Sequence, residues 1–371
     1  MVVAHTTDAS PIANDQPMPE ELNPRHLRKR LIQLGILVVV VGLVVWLTPG
    51  LGPLRSRLDH ASAPWLVSAA VFELLSTLSY VVVFRAVFCA RMSWRMSYQI
   101  GMAEQAANAL LPAGGAGGLA LGAWALTRGG MSAGHIARRT VAFFFLTSLA
   151  NVGTVAVFAG AFAVNIFHGD SQPWFTYGFG IAAVVAIAIT VSMPVFHRRW
   201  VARRRALLPD AGRAHRWIRE AFDALGLGAA DTLSLLRERP VGVLVGSFGY
   251  MGFDIATLGA AFVAFGHAPG FGVLVFAYLV GQLGGLLPLP GGVGGIEGGL
   301  IGVFAIYHVS VASTAAAVLA YRALQIWIPA MLGSVAFVQL RSALSREAAP
   351  AEVCRPLAEP IRVQRLQRSV S

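Results

Sequence analysis

Lysine occurs once in this chain of 371 residues, at Lys29, and charged residues of every kind make up only 13%. A soluble protein of this length would carry about a quarter. A water-soluble domain is therefore excluded as the bulk of the molecule. Cysteine is also scarce. Cys89 and Cys354 cannot build a disulfide framework. Neither belongs to a CxxC pair, so no metal site is implied. No G-x-x-x-x-G-K-[ST] loop occurs, which excludes a nucleotide-driven pump of that kind. Residues 115–120 fit G-x-G-x-x-A formally. They follow a helical apolar run rather than a strand, so the dinucleotide reading fails on context. No Ser-His-Asp constellation stands out. No catalytic residue, metal or cofactor is expected, and the protein is not expected to be an enzyme.

What the chain has in abundance is apolar sequence. Hydrophobic residues make up 56%, and the mean hydropathy of +0.64 comes from several long runs. A membrane-spanning helix needs about 20 such residues. Runs at 31–48, 64–84, 140–166, 174–196, 240–265 and 311–340 qualify, which predicts six crossing helices. The run at 31–48 follows a basic stretch, but it is long for a signal peptide and lacks an A-x-A cleavage site. It is read as a retained first helix. Residues 1–30 read as a disordered, basic N-terminus and 341–371 as a polar tail.

The net charge of +11 raises nucleic acid as a partner. The arginines, however, sit in connectors between apolar runs, where the positive-inside rule places them. Membrane orientation is the preferred reading, with no nucleic acid partner. Two further apolar stretches, 97–127 and 271–307, are broken by Pro112, Gly114 and Gly115 and by Pro288, Pro290, Gly291 and Gly292. Proline removes a helical donor and clashes with the preceding turn. Each stretch is therefore a broken crossing or a re-entrant hairpin. With the N-terminus in the cytoplasm, a single crossing at 97–127 would place the arginine-rich loop 197–239 outside, and with that stretch a hairpin, a single crossing at 271–307 would place the tail outside. Two hairpins return both to the cytoplasm. Both termini are then cytoplasmic, in a multi-pass protein of the cell membrane.

The two broken stretches resemble each other. Residues 110–118 match 286–295 with one gap, and each stretch follows a helix carrying one acid, Glu73 or Asp254. A chance match between glycine-rich segments is the plain alternative. Three crossings separate the stretches, so they enter from opposite faces. The expected fold is an all-α polytopic integral membrane protein, an inverted repeat with two opposed re-entrant helical hairpins.

Five charges lie inside apolar runs: Glu73, Glu104, Asp254, Glu297 and Arg322. A charge at a helix centre costs roughly 2.5–3.5 kcal/mol by insertion scales, so such residues are functional-site candidates. The plain alternative is an internal salt bridge such as Glu297 with Arg322, and one pair could do both. Arg322 carries a planar fork suited to phosphate or carboxylate. In 215–227, apolar residues recur at helical spacing. That helix either lies on an anionic bilayer surface or caps the bundle.

The sequence LLPLPGGVGGIEGGLIGVFAIY, followed by AYRALQIWIPAMLG, resembles the membrane domain of lysylphosphatidylglycerol synthases, the flippase-like family. The resemblance covers about 31–340 and rests on Pro288, Pro290, Gly291, Gly292, Glu297, Arg322 and Pro329, with a looser first repeat around Asn108, Leu111 and Pro112. Charged residues often follow the first-repeat proline in that family, whereas glycine, leucine and alanine stand here. The resemblance implies movement of a phospholipid or polyprenyl-linked lipid between leaflets, without the synthase domain. A membrane enzyme acting on a lipid phosphate and a scaffold for a separate synthase are the alternatives. The sequence leaves a homo-oligomer open.

Overall fold

The structure is a computed structural model. It describes residue 32 and residues 61–110, 116–167, 173–204, 213–286 and 294–345. Among these are ten long or short α-helices, one 3-10 turn and no strand. In chain order they are α1 Ala63–Phe88, α2 Trp94–Leu110, α3 Ala116–Arg128, α4 Ala133–Ala163, α5 Pro173–Arg204, α6 Arg213–Glu238, α7 Pro240–Ala264, α8 Phe271–Gly281, α9 Gly295–Ile306 and α10 Val311–Ser345. The 3-10 turn Gln282–Leu286 extends α8.

Five helices are long and apolar enough to cross a membrane: α1, α4, α5 through His197, α7 and α10. They correspond to five of the six expected crossings. The first run, 31–48, lies outside the described residues apart from Ile32, as do residues 1–30 and both hairpin turns with Pro112, Gly114, Gly115, Pro288, Pro290, Gly291 and Gly292. The shorter helices are different. At 1.5 Å per residue, α2 and α3 reach about 26 and 20 Å, and α8 and α9 about 17 Å each. None has the length of the spanning helices, and α2 packs on α3 as α8 packs on α9.

Some boundaries move. α4 begins at Ala133 rather than 140, so Arg138 and Arg139 lie inside its first turns. Gly130 takes φ 85 just before the Ser132 N-cap, a left-handed turn that glycine adopts without steric cost. The stretch 197–239 is largely helical, because α5 runs on to Arg204 and α6 follows. α6 packs on α4, α5 and α7, which is the bundle-capping arrangement. The helix α10 extends to Ser345, five residues into the expected tail.

The pattern of packing repeats. α1 packs on α4 and on α10, and α7 packs on α10 and on α4; α2 packs on α10, and α8 on α4; α3 packs on α4, and α9 on α10. Exchanging α1–α4 for α7–α10 leaves this set of pairs unchanged. The most extensive contact joins α1 to α7. These two run antiparallel: Ser62 meets Ala264, Ser76 meets Tyr250, Ser79 meets Gly249, and Ala86 meets Gly242. The short-helix pairs α2–α3 and α8–α9 sit at opposite ends. α2 and α3 share a buried cluster with Phe88, Val243 and Leu344, while α8 and α9 share another with Val155, Phe262 and Ala316.

Candidate functional site

Four of the five intramembrane charges meet in one network. Asp254 on α7 accepts hydrogen bonds at Oδ2 from the Tyr278 hydroxyl on α8, from the Tyr321 hydroxyl at 3.0 Å and from Gln325 Nε2 at 3.0 Å, both on α10. Gln325 Nε2 also reaches the Tyr321 oxygen at 2.6 Å, and Gln282 Nε2 donates to the same oxygen at 2.9 Å. Arg322 donates from Nε to Glu297 Oε1 at 2.9 Å and from Nη1 to Gln325 Oε1. Glu73, on α1, lies within hydrogen-bonding reach of Asp254 and Thr257. The network therefore ties α1, α7, α8, α9 and α10 together.

Helix geometry sets its depth. Glu73 lies ten residues from the start of α1, and Asp254 ten from the end of α7. Glu297 lies nine from the end of α9, and Arg322 eleven from the start of α10. Those termini share one end of the bundle, where Ser62 N bonds Ala264 O and the rings of Phe162, Phe175 and Tyr307 meet. At 1.5 Å per residue each charge is about 15 Å inward from that end.

Burial and charge do not balance. Glu73 is 2% exposed, Asp254 4% and Arg322 5%. Three carboxyls face one guanidinium. Among the described residues, Glu73 Oε2 and Asp254 Oδ1 are both buried and accept no hydrogen bond, so a proton between them or a cationic group beside them would satisfy both. Glu297 has a second role. Its Oε2 accepts from Gly294 N at 2.7 Å, capping α9, where an acid complements the helix dipole. Gly294 has φ 89, a conformation that favours glycine. The salt bridge between Glu297 and Arg322 is thus present at 2.9 Å, as the structural alternative anticipates, but inside a larger network. Pro329 in α10 adds to it, because a proline leaves the carbonyl four residues back, here Gln325, without its helical donor.

Glu104 stands apart. It lies on α2, 5% exposed, and its Oε2 accepts from the Tyr80 hydroxyl at 2.9 Å. The pairs Tyr80–Glu104 and Asp254–Tyr278 are each separated by 24 residues. The second follows the first by 174 residues, the interval that also separates the contacting Ser76 and Tyr250. The acid and the tyrosine have exchanged helices.

The tyrosines and amides of this network, Tyr278, Tyr321, Gln282 and Gln325, escape a search for charges alone. Their signal is present nonetheless: each helix places a tyrosine four residues before a glutamine within an apolar run, and i, i+4 residues share a face. Among the described residues, no group of three or more His, Cys, Asp and Glu is placed to hold a metal ion.

Residues 32–333 match the family model of the lysylphosphatidylglycerol synthase TM region. The chain is also 26% identical to the UPF0104 membrane protein of Methanothermobacter thermautotrophicus over 351 residues, covering 84% of this chain and 97% of that protein. That protein's name states no substrate. A match over most of the chain, with five apolar spanning helices in the fold, makes the protein a multi-pass membrane member of the lysylphosphatidylglycerol synthase TM region family.

Proposed function

We propose that the protein moves phospholipid headgroups between the leaflets of the cell membrane, through an inverted repeat whose halves meet at the Asp254–Arg322 network. The observation that carries this reading is the charge imbalance at mid-membrane: three carboxyls against one guanidinium, on helices that include half of a short hairpin. A lipid such as the one in the family's name carries a phosphate and amino groups, and this site complements both. Arg322 takes the phosphate by exchange with Glu297, because its fork accepts two oxygens. Asp254, Glu73 and the released Glu297 take the ammonium groups.

The antiparallel packing of the mates α1 and α7 supports inverted rather than parallel topology. α2–α3 and α8–α9 are then re-entrant hairpins entering from opposite faces. Arg85, Arg91, Arg95, Arg128, Arg138, Arg139 and Arg239 lie with the first hairpin or at the same helix ends, which supports that end as cytoplasmic. It also provides a basic surface for anionic lipid. No chemical step is assigned to the protein.

Reconstituted vesicles test the reading. Arg322→Lys keeps the charge and loses the fork, and should reduce leaflet exchange of an amine-bearing anionic phospholipid by about tenfold or more, as expected when a charged hydrogen bond worth about 1.5–3 kcal/mol is lost. Full activity in the lysine variant would contradict a forked phosphate contact.

A further inference from the structure

We propose that Glu104 forms a second ligand site, the counterpart of the Asp254 site in the opposite half, and that its ligand is a proton which the transport cycle takes up and releases. Its role in the cycle rests on the translocation reading above; its occupancy by a proton does not.

Three observations converge. The first is position. Tyr80 and Glu104 occupy the places of Asp254 and Tyr278, with donor and acceptor exchanged between helices. Glu104 lies ten residues into α2, about 15 Å from its start, and so reaches the depth of the Asp254 network from the other end. The second is enclosure. A Cβ on Gly122 would fall 1.5 Å from Glu104 Oε1, so α3 presses bare backbone against the carboxyl, and a Cβ on Gly118 would fall 2.4 Å from Asn108 Oδ1. That side chain in turn accepts from Gly118 N at 2.8 Å. Among the described residues, not even a methyl group fits between α3 and the Glu104 carboxyl.

The third is charge. The groups that face Glu104 are neutral: Tyr80 from α1, with Tyr250 of α7 behind it at 5.5 Å between ring centroids; Gly118 and Gly122 from α3; Gly333 and Ala336 of α10 behind Met102 and Ala106. Among the described residues no cation acts on Glu104, whereas Glu297 has Arg322. An ionised carboxylate enclosed this way, with a single hydroxyl donor, is strongly disfavoured. Among the described residues the Glu104 carboxyl is partnered by the Tyr80 hydroxyl alone, fewer oxygens than a sodium ion coordinates. A proton satisfies the site without enlarging it. The proton leaves when α3 parts from α2, because Gly122 is then no longer held against the carboxyl.

Infrared spectroscopy of the full-length protein in lipid tests occupancy directly. At neutral pH the spectrum should contain the carbonyl stretch of a protonated carboxyl that disappears in Glu104→Gln. In Tyr80→Phe the band should remain and shift to higher frequency, because the hydroxyl donor is gone. The tyrosine variant keeps the test valid if Glu104→Gln fails to fold. A spectrum unchanged by both variants, or a band abolished by sodium, overturns the proposal. In vesicles, the wild-type leaflet-exchange rate should differ between opposite pH gradients, and in Glu104→Gln the ratio of the two rates should fall to unity. A wild-type rate indifferent to the gradient refutes the coupling. If the band is present and no lipid moves, the proton site stands and the translocation reading is the part that fails.

Discussion

Arg322, Asp254 and Tyr321 divide the work of one site. Arg322 supplies the positive charge of the network among the described residues. Asp254 gathers three donors on one oxygen and leaves Oδ1 without one. Tyr321 is fully buried and links both sides, donating to Asp254 while its oxygen receives the amides of Gln282 and Gln325. Tyr321→Phe removes a donor and an acceptor together. It should lower stability by about 1–3 kcal/mol, the cost of leaving buried polar groups unmatched, and reduce leaflet exchange as well. A phenylalanine variant with wild-type thermal midpoint and exchange rate would show that the hydroxyl does not organise the site. All four charged members of the network were legible in the sequence, since an acid or arginine in an apolar run is costly wherever it points. The tyrosines and glutamines were not, because hydropathy averages them away and their partners lie on other helices. Glu104 was legible as a charge, but not as the member of a separate pair.

The long helices owe their existence to uninterrupted apolar sequence and their arrangement to small residues. Lipid tails give no hydrophobic drive to helix association, so close backbone approach supplies packing instead. Gly242, Gly246 and Gly249 form such a seam on α7 against α1. A Cβ on Gly246 would lie 2.5 Å from Val83 N, whereas one on Gly252 meets nothing within 4 Å. Gly246→Ala should therefore force α1 and α7 apart and lower the thermal midpoint. Gly252→Ala should be neutral or stabilising by up to about 1 kcal/mol through helix propensity. Equal effects from both would contradict the α1–α7 seam. Five spans were readable because length and hydropathy are local properties. The start of α4 was not, because Arg138 and Arg139 interrupt the apolar run without interrupting the helix. Nor was the capping role of α6, which depends on where α4, α5 and α7 end.

At the scale of the whole molecule, two halves of similar plan pack through their first helices in opposite directions. In sequence the two halves resemble each other only at the two proline-glycine turns; elsewhere tyrosine and acid stand on different helices of each half. Such an arrangement has a functional consequence. On the translocation proposed above, a site at the junction opens to either side as one half rocks against the other, and the network around Asp254 would be that site. The proposed translocation requires access to this network from both faces. A single cysteine at Gln325, in a chain with Cys89 and Cys354 replaced by serine, reports it directly in sealed vesicles. The account predicts that a membrane-impermeant thiol reagent modifies position 325 from either side, and that added amine-bearing anionic phospholipid slows both reactions. Modification from one side only, whatever the lipid, would contradict it.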